Sequence, residues 1–203
     1  MQSIRLLSGI GDKGPACIQL TLGDRIWLLD CGFGPEANAH FDPLWLEGAE
    51  AVFITHDHID HIGGASYAVE VGLPIYATAQ TAKALPLAAK VHLLPEQGQT
   101  VIDGVTLTTG RNGHAMGGVW FHFVLGDVFY FSGVWSEESG WFSFAAPPPA
   151  ATAILDFSSH LDDVPQSARL GAANDLPARV LRPVLLPLPP SARAGDMAVH
   201  FVS

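Results

Sequence analysis

The stretch Ala51-Val52-Phe53-Ile54-Thr55-His56-Asp57-His58-Ile59-Asp60-His61-Ile62-Gly63-Gly64 joins an apolar run to a dense cluster of imidazoles and carboxylates. The run at 51–55 is nearly all apolar and rich in β-branched residues, which predicts a strand buried on both faces. Directly after it stand three His and two Asp within six residues. At this chain's own residue frequencies such a spacing arises by chance on the order of once in a thousand. His56 and His58 are two apart, so in extended backbone both imidazoles project to one side. Imidazole nitrogen suits Zn²⁺ and related first-row ions, and Asp60 and His61 add a carboxylate and a further imidazole for a second ion or for orienting a water. Asp57 lies between the two histidines, points the other way and is expected to serve loop structure. Gly63-Gly64 allows a tight turn into a helix. A solvated polar loop is the alternative, but imidazoles that repel one another on protonation seldom gather without a ligand.

Outward from this stretch the pattern is α/β in the first half and β in the middle. Runs at 16–22 and 25–30 flank Gly23-Asp24, a two-residue hairpin signal, and 4–7 reads as a strand before them. After the cluster a helix-compatible segment extends from Asp60 to about Val71, followed by a strand at 74–77. Thr78 is expected to cap a helix over the next eleven residues. Strands follow at 91–94, 99–102 and 104–109, then a second hairpin of 118–125 and 128–133 across Gly126-Asp127. Past Pro147-Pro148-Pro149 come a strand at 152–157, a proline-rich tail and a last strand at 198–202. Strands in both halves with helices between them predict two packed sheets flanked by helices.

The chain has 203 residues, of which 48% are hydrophobic, enough for one sizeable core and a single domain over 1–203. Twenty acidic residues against ten basic ones give a net charge of −10. Only Lys13, Lys83 and Lys90 are lysines, so no basic stripe can be drawn and tight binding to a nucleic-acid backbone is not expected. The balance favours a small-molecule substrate over a long nucleic acid. Cys17 and Cys31 are too few for a disulfide framework, the start lacks a signal peptide, and no apolar run approaches membrane-spanning length. The expectation is a cytoplasmic protein without membrane association.

Thr55 to Gly64 resembles the signature loop of the metallo-β-lactamase superfamily of metallohydrolases. The likeness extends to Trp27–Gly32, similar to the strand whose Asp supports the histidine loop, and to Asn112-Gly113-His114, similar to the turn that supplies a third histidine. Val128–Gly133 followed by 135–139 resembles the strand and turn where the family places a bridging Asp, and 153–159 resembles the strand after it. The register is closest to the β-CASP and RNase Z-like phosphodiesterase branch, without the β-CASP cap domain. The resemblance covers about residues 1–160.

What the resemblance implies is a four-layer αββα sandwich and a metal-dependent hydrolase with a zinc-activated water as nucleophile, on a small phosphodiester or related ester. His56, His58 and His114 form a three-histidine set with an open fourth position, as in a catalytic zinc site; Mn²⁺ and Fe²⁺ suit the same donors. Asp60 and His61 complete the implied metal-binding residues. Asp60 is expected to orient or deprotonate the water, and His160 is the candidate leaving-group acid. Asp30 is expected to hydrogen-bond into the histidine loop, because ligating imidazoles need their other N–H fixed. Gly113 allows close backbone approach at His114.

Two positions depart from the family pattern. Val134 stands where the bridging Asp belongs, and 184–188 carries no histidine where the last one belongs. Both losses fall on the second metal, so one firmly held ion and a partial second site are expected. Glu137, Glu138, His160 and Asp162 could rebuild it, although each reads more readily as a solvated loop residue. His122 and His200 read as sheet-face residues, while His40 and His92 carry no ligating spacing. Trp135, Trp141, Phe142 and Phe144 are expected as a pocket wall, a homodimer contact or core. The competing function is a catalytically degraded member that acts as a metal-binding or protein-interaction module.

Overall fold

The computed structural model describes residues 2–10, 15–34, 41–156 and 164–179, with Ala194 and Met197 as isolated positions. Lys13, His40, His160, Asp162, His200 and the expected strand at 198–202 lie outside the described residues.

Two sheets form the centre. The first has strand order β1 (Gln2–Ser8), β2 (Cys17–Leu22), β3 (Arg25–Leu29), β4 (Ala51–Phe53), β5 (Ile75–Thr78), β6 (Val91–Leu94). β1, β2 and β3 pair antiparallel, while β3 through β6 run parallel. The second runs β11 (Thr152–Ile154), β10 (Asp127–Phe131), β9 (Val119–Leu125), β8 (Val105–Arg111), β7 (Gly98–Ile102). Both expected hairpins are present, with Leu22 opposite Arg25 and Leu125 opposite Asp127. Gly23 and Gly126 have φ of 66° and 75°, which glycine adopts without a Cβ penalty.

Alternation along β4 explains its burial. Phe53 points into the core between the sheets, where it meets Trp27, Phe121 and Phe123 at ring-centroid distances of 4.8, 6.1 and 5.6 Å. Val52 and Ile54 point to the opposite face, into a second cluster with Leu28, Ile75, Ala65 and Ala68. That cluster is roofed by two short helices, α1 (Ile59–Ile62) and α2 (Ala65–Glu70). The arrangement is an αββα sandwich. On the outer face of the second sheet, Trp120 donates its indole N–H to the Ala145 carbonyl at 2.7 Å, and His122 Nε2 lies 3.1 Å from the Pro149 carbonyl. A third helix, α3 (Gln166–Arg179), follows.

Three details differ from the sequence reading. The helix over 60–71 is interrupted at Gly63-Gly64, where close packing excludes a side chain: a Cβ on Gly63 would lie 2.8 Å from Phe33 and one on Gly64 2.6 Å from Phe41. Thr78 ends β5, and its hydroxyl donates to the Gly117 carbonyl at 2.7 Å while accepting the Thr81 N–H at 3.3 Å, but only a single 3-10 turn at Thr81–Ala84 follows. Pro86 stops that turn, since the residue before a proline is pushed out of helical backbone. Of the strand expected at 152–157, Thr152–Ile154 is strand and 155–156 are not, while 157 lies outside the described residues. No helix among the described residues is long and apolar enough to cross a membrane.

Candidate metal centre

The carboxyl ends of parallel strands β3, β4 and β5 converge on one edge of the first sheet, the position where open α/β sheets gather their functional loops. Asp30 follows β3 and is fully buried with a φ of 58°, strained backbone for a residue with a Cβ. Its neighbours hold it there. The Asp30 N–H donates to the Phe53 carbonyl at 2.8 Å, and its carboxylate accepts from the Thr55 N–H at 2.8 Å and the Thr55 hydroxyl at 2.9 Å. His61 Nδ1 lies 2.7 Å from Asp30 Oδ2.

Thr55 passes this order on to the first histidine. Its hydroxyl lies 3.0 Å from His56 Nδ1, so with the hydroxyl proton given to Asp30 the oxygen accepts the His56 Nδ1–H. That fixes the tautomer with a lone pair on His56 Nε2. His56 Nε2 is buried and has no hydrogen-bond partner. Burial holds the His56 pKa well below the ordinary imidazole range, with His61, His114 and His58 adding to the effect, so the ring is the neutral, ligating form. At His61 burial works in the same direction, but the Asp30 carboxylate, with Asp60 and Asp156 beyond it, outweighs burial and raises the pKa.

The loop itself is pinned by backbone. Ala16 N–H donates to the Asp60 carbonyl, Cys31 N–H to the His61 carbonyl and Phe33 N–H to the Ile59 carbonyl, at 2.8, 2.8 and 2.9 Å. Gly32 is required here, since a Cβ would fall 1.7 Å from the Asp60 oxygen. The third histidine arrives from the second sheet. Val119 N–H donates to the Thr55 carbonyl at 2.9 Å, which ties the start of β9 to the end of the β4 segment. Asn112 Oδ1 accepts the His114 N–H at 3.0 Å, and Gly113 at φ 66° packs so closely on Ser136 that a Cβ would meet its carbonyl oxygen at 1.9 Å.

His56, His58 and His114 therefore offer one ligand nitrogen each within 4.8 Å of one another. His58 Nδ1 and His114 Nε2 are 3.2 Å apart. Two nitrogens at about 2.0–2.1 Å from a tetrahedral zinc are separated by about 3.3 Å, so the spacing and the donor type fit a divalent ion. The structure brings His56, His58 and His114 together, and Asp30 hydrogen-bonds into the histidine loop. Asp60 Oδ2 lies 3.7 Å from His61 Nε2, beside the three-histidine group. His122 is on a sheet face as read, and His92 stacks on Tyr76 at 4.9 Å. Glu138 caps α3, with Oε2 accepting the Gln166 N–H at 2.7 Å. Trp135 and Trp141 are exposed. Sequence reading missed the relay role of Thr55 and the turn-setting role of Asn112; the only signal was their place beside His56 and two residues before His114.

A family profile described as "Beta-lactamase superfamily domain" matches residues 25–140. Among curated proteins, the transcription termination factor FttA of Methanocaldococcus jannaschii is 28% identical over 162 residues, 63% of this chain and 26% of that protein. FttA of Cenarchaeum symbiosum is 33% identical over 102 residues, 45% of this chain and 15% of the relative. The chain thus matches about a quarter or less of the length of these relatives. Among solved structures, the metallo-beta-lactamase fold protein YhfI from Bacillus subtilis superposes with a TM-score of 0.50 at 17% identity, covering 64% of this chain and 60% of that one.

Proposed function

The chain belongs to the metallo-β-lactamase superfamily, and from that premise we propose that it is a metal-dependent hydrolase of a small phosphodiester or related ester. The observation that carries this reading is the buried, unpartnered His56 Nε2, aimed with His58 and His114 nitrogens at a common point. His56, His58 and His114 would hold the ion, with zinc the first choice. When bound, a divalent ion there supplies Lewis acidity to a water and to a substrate oxygen. Asp60, at the rim of the group, is proposed to orient the attacking water and accept its proton. His61, held by Asp30, would join Asp60 in a weaker second site. His160, outside the described residues, is kept as the proposed proton donor to the leaving group.

Partners remain part of the proposal. The net charge of −10 favours a small substrate. The relatives that match are transcription termination factors, which pulls toward nucleic acid and weakens the exclusion drawn from charge. A homodimer joined through the aromatic segment at 129–144, and a cytoplasmic location, belong to the same reading. Val134, at the position of the family's bridging acid, favours the second reading of a non-catalytic metal-binding or interaction module.

The deciding experiment is elemental analysis of the purified chain and of His114→Ala, beside turnover of a diester, a lactone, a thioester and a short RNA. About one ion per chain, lost from the variant together with hydrolysis of at least one substrate, is expected. A metal-loaded chain inert on all four would overturn the hydrolase reading in favour of the module.

A further inference from the structure

Beside the histidine loop, on the side of the 3-10 turn, lies a cleft of about 460 Å³. That volume is within the range of small-molecule sites. Its walls are apolar, built from Ile59, Ile62, Ala65, Leu85 and Pro86, and its one acidic group is Asp57. Asp57 stands between two metal-ligating histidines, so the cleft adjoins the metal centre without including its ligands.

Two features of this cleft are costly in the free protein. Ile59 is 60% exposed at the start of α1, an apolar side chain left in water at the mouth of the cleft. Asp57 Oδ1 is sealed from solvent and has no hydrogen-bond partner. None of the ion pairs among the described residues involves Asp57. Lys83, on the neighbouring turn, gives its ammonium to Gln80 Oε1 at 2.7 Å. Asp57 was expected to serve loop structure, yet Oδ1 holds nothing in the loop. A carboxylate oxygen removed from water and left without a donor is destabilising. Asp57 lines the cleft, and because a carboxylate shares its charge between both oxygens, a cation held in the cleft is attracted to the whole group.

We propose that this cleft is a subsite for an organic ammonium, an apolar body carrying one positive charge, with the ammonium at Asp57 and the body against Ile59, Ile62 and Leu85. The site deepens the hydrolase reading by naming the part of the substrate that sits beside the metal centre: a cationic, apolar substituent. A polyanionic backbone would meet a carboxylate and apolar walls in this cleft, with no cation to receive it.

The test is calorimetric titration of the metal-loaded chain with benzylammonium and, as its uncharged counterpart, benzyl alcohol. Binding is scored without turnover, so the result stands whether or not the chain hydrolyses any ester. Benzylammonium is expected to bind about tenfold more tightly than the alcohol, and Asp57→Asn is expected to erase that difference. Ala84→Trp, which fills the cleft from an exposed rim position, is expected to weaken both probes with its metal content intact, and it decides the matter if Asp57→Asn disturbs the metal. Equal binding of the two probes, or ammonium binding untouched by both substitutions, overturns the site. Where an ester pair is turned over, KM is expected to be lower for the ammonium-bearing member in the parent chain alone. Equal KM values despite tight benzylammonium binding would overturn its role as a substrate subsite.

Discussion

Two walls face each other across the three histidines, and they are built by different means. On the first-sheet side Asp30, Thr55 and His56 are fully buried and His61 nearly so, and one carboxylate takes three donors. On the second-sheet side the segment after β10 offers Val134, then Trp135 and Trp141 at 37% and 46% exposure, and its Glu138 is spent capping α3. On this side backbone sets the turn that carries His114: Ser136 N–H donates to the Asn112 carbonyl at 2.9 Å, and Gly113 packs closely on Ser136. The contrast teaches that the first wall orders its histidines through a fully buried carboxylate, whereas the second orders the His114 turn through backbone and turns the charge of Asp156 toward His61.

Asp30→Asn attacks the stronger wall and carries the largest effect. Asparagine keeps the shape but replaces one acceptor oxygen with a donor, so an N–H is forced against Thr55 or His61, and the charge facing His61 is lost. Breaking such a buried pair costs about 3 kcal/mol of stability. The disturbed orientation of His56 and the loop is expected to lower metal affinity by about 10–100-fold. Urea unfolding and chelator competition measure the two. A change below about 1 kcal/mol would mean that the backbone bonds from Ala16, Cys31 and Phe33 hold the loop without the carboxylate.

Much of the first wall was legible in the sequence, because its chemistry lies in contiguous residues with two-residue spacing. The apolar 51–55 run could be read as doubly buried, and the histidine loop followed it directly. His114 was reached only through resemblance, since nothing in 58 to 114 encodes the fold that brings two turns together. Thr55 escaped notice because a threonine at a strand end looks like any β-former until its hydroxyl is seen between a carboxylate and an imidazole. The helix expected after Thr78 is cut to one 3-10 turn by Pro86; Thr78 does accept the Thr81 N–H at 3.3 Å, but its hydroxyl is also given to the Gly117 carbonyl, a contact of 39 residues' separation that no local pattern carries. Asp57 was given a structural role because alternation correctly turned it away from the histidines, but alternation does not say what lies on that side.

Val134→Asp sharpens the comparison from the weaker wall. Gly133 at φ 53° packs on Thr55 closely enough that a Cβ would come within 2.9 Å of its side chain, so the next residue is delivered beside the histidine loop. A carboxylate introduced there adds charge on this side of the three histidines. Bound metal by elemental analysis is expected to rise from about one ion per chain toward about two, with stability changed by about 1 kcal/mol or less because Val134 is only half-buried. An unchanged stoichiometry would show that geometry, and not charge alone, limits this side.

Trp141→Ala carries the smallest effect and checks whether the second wall is as loosely built as its exposure says. Trp141 stacks on Phe142 at a centroid distance of 5.4 Å, but it belongs to neither buried cluster, and its backbone N–H is met by the Ser139 hydroxyl at 3.2 Å, a bond the substitution leaves in place. A side chain this exposed contributes little burial to folding, so the unfolding free energy is expected to move by no more than about 0.5 kcal/mol and the metal content not at all. A loss of about 2 kcal/mol would place the aromatic segment in the core and make the two walls equals. A drop in metal content would break the comparison differently, since it would mean that the rim aromatics position His114 through the 112–114 turn on which Ser136 and Phe144 pack.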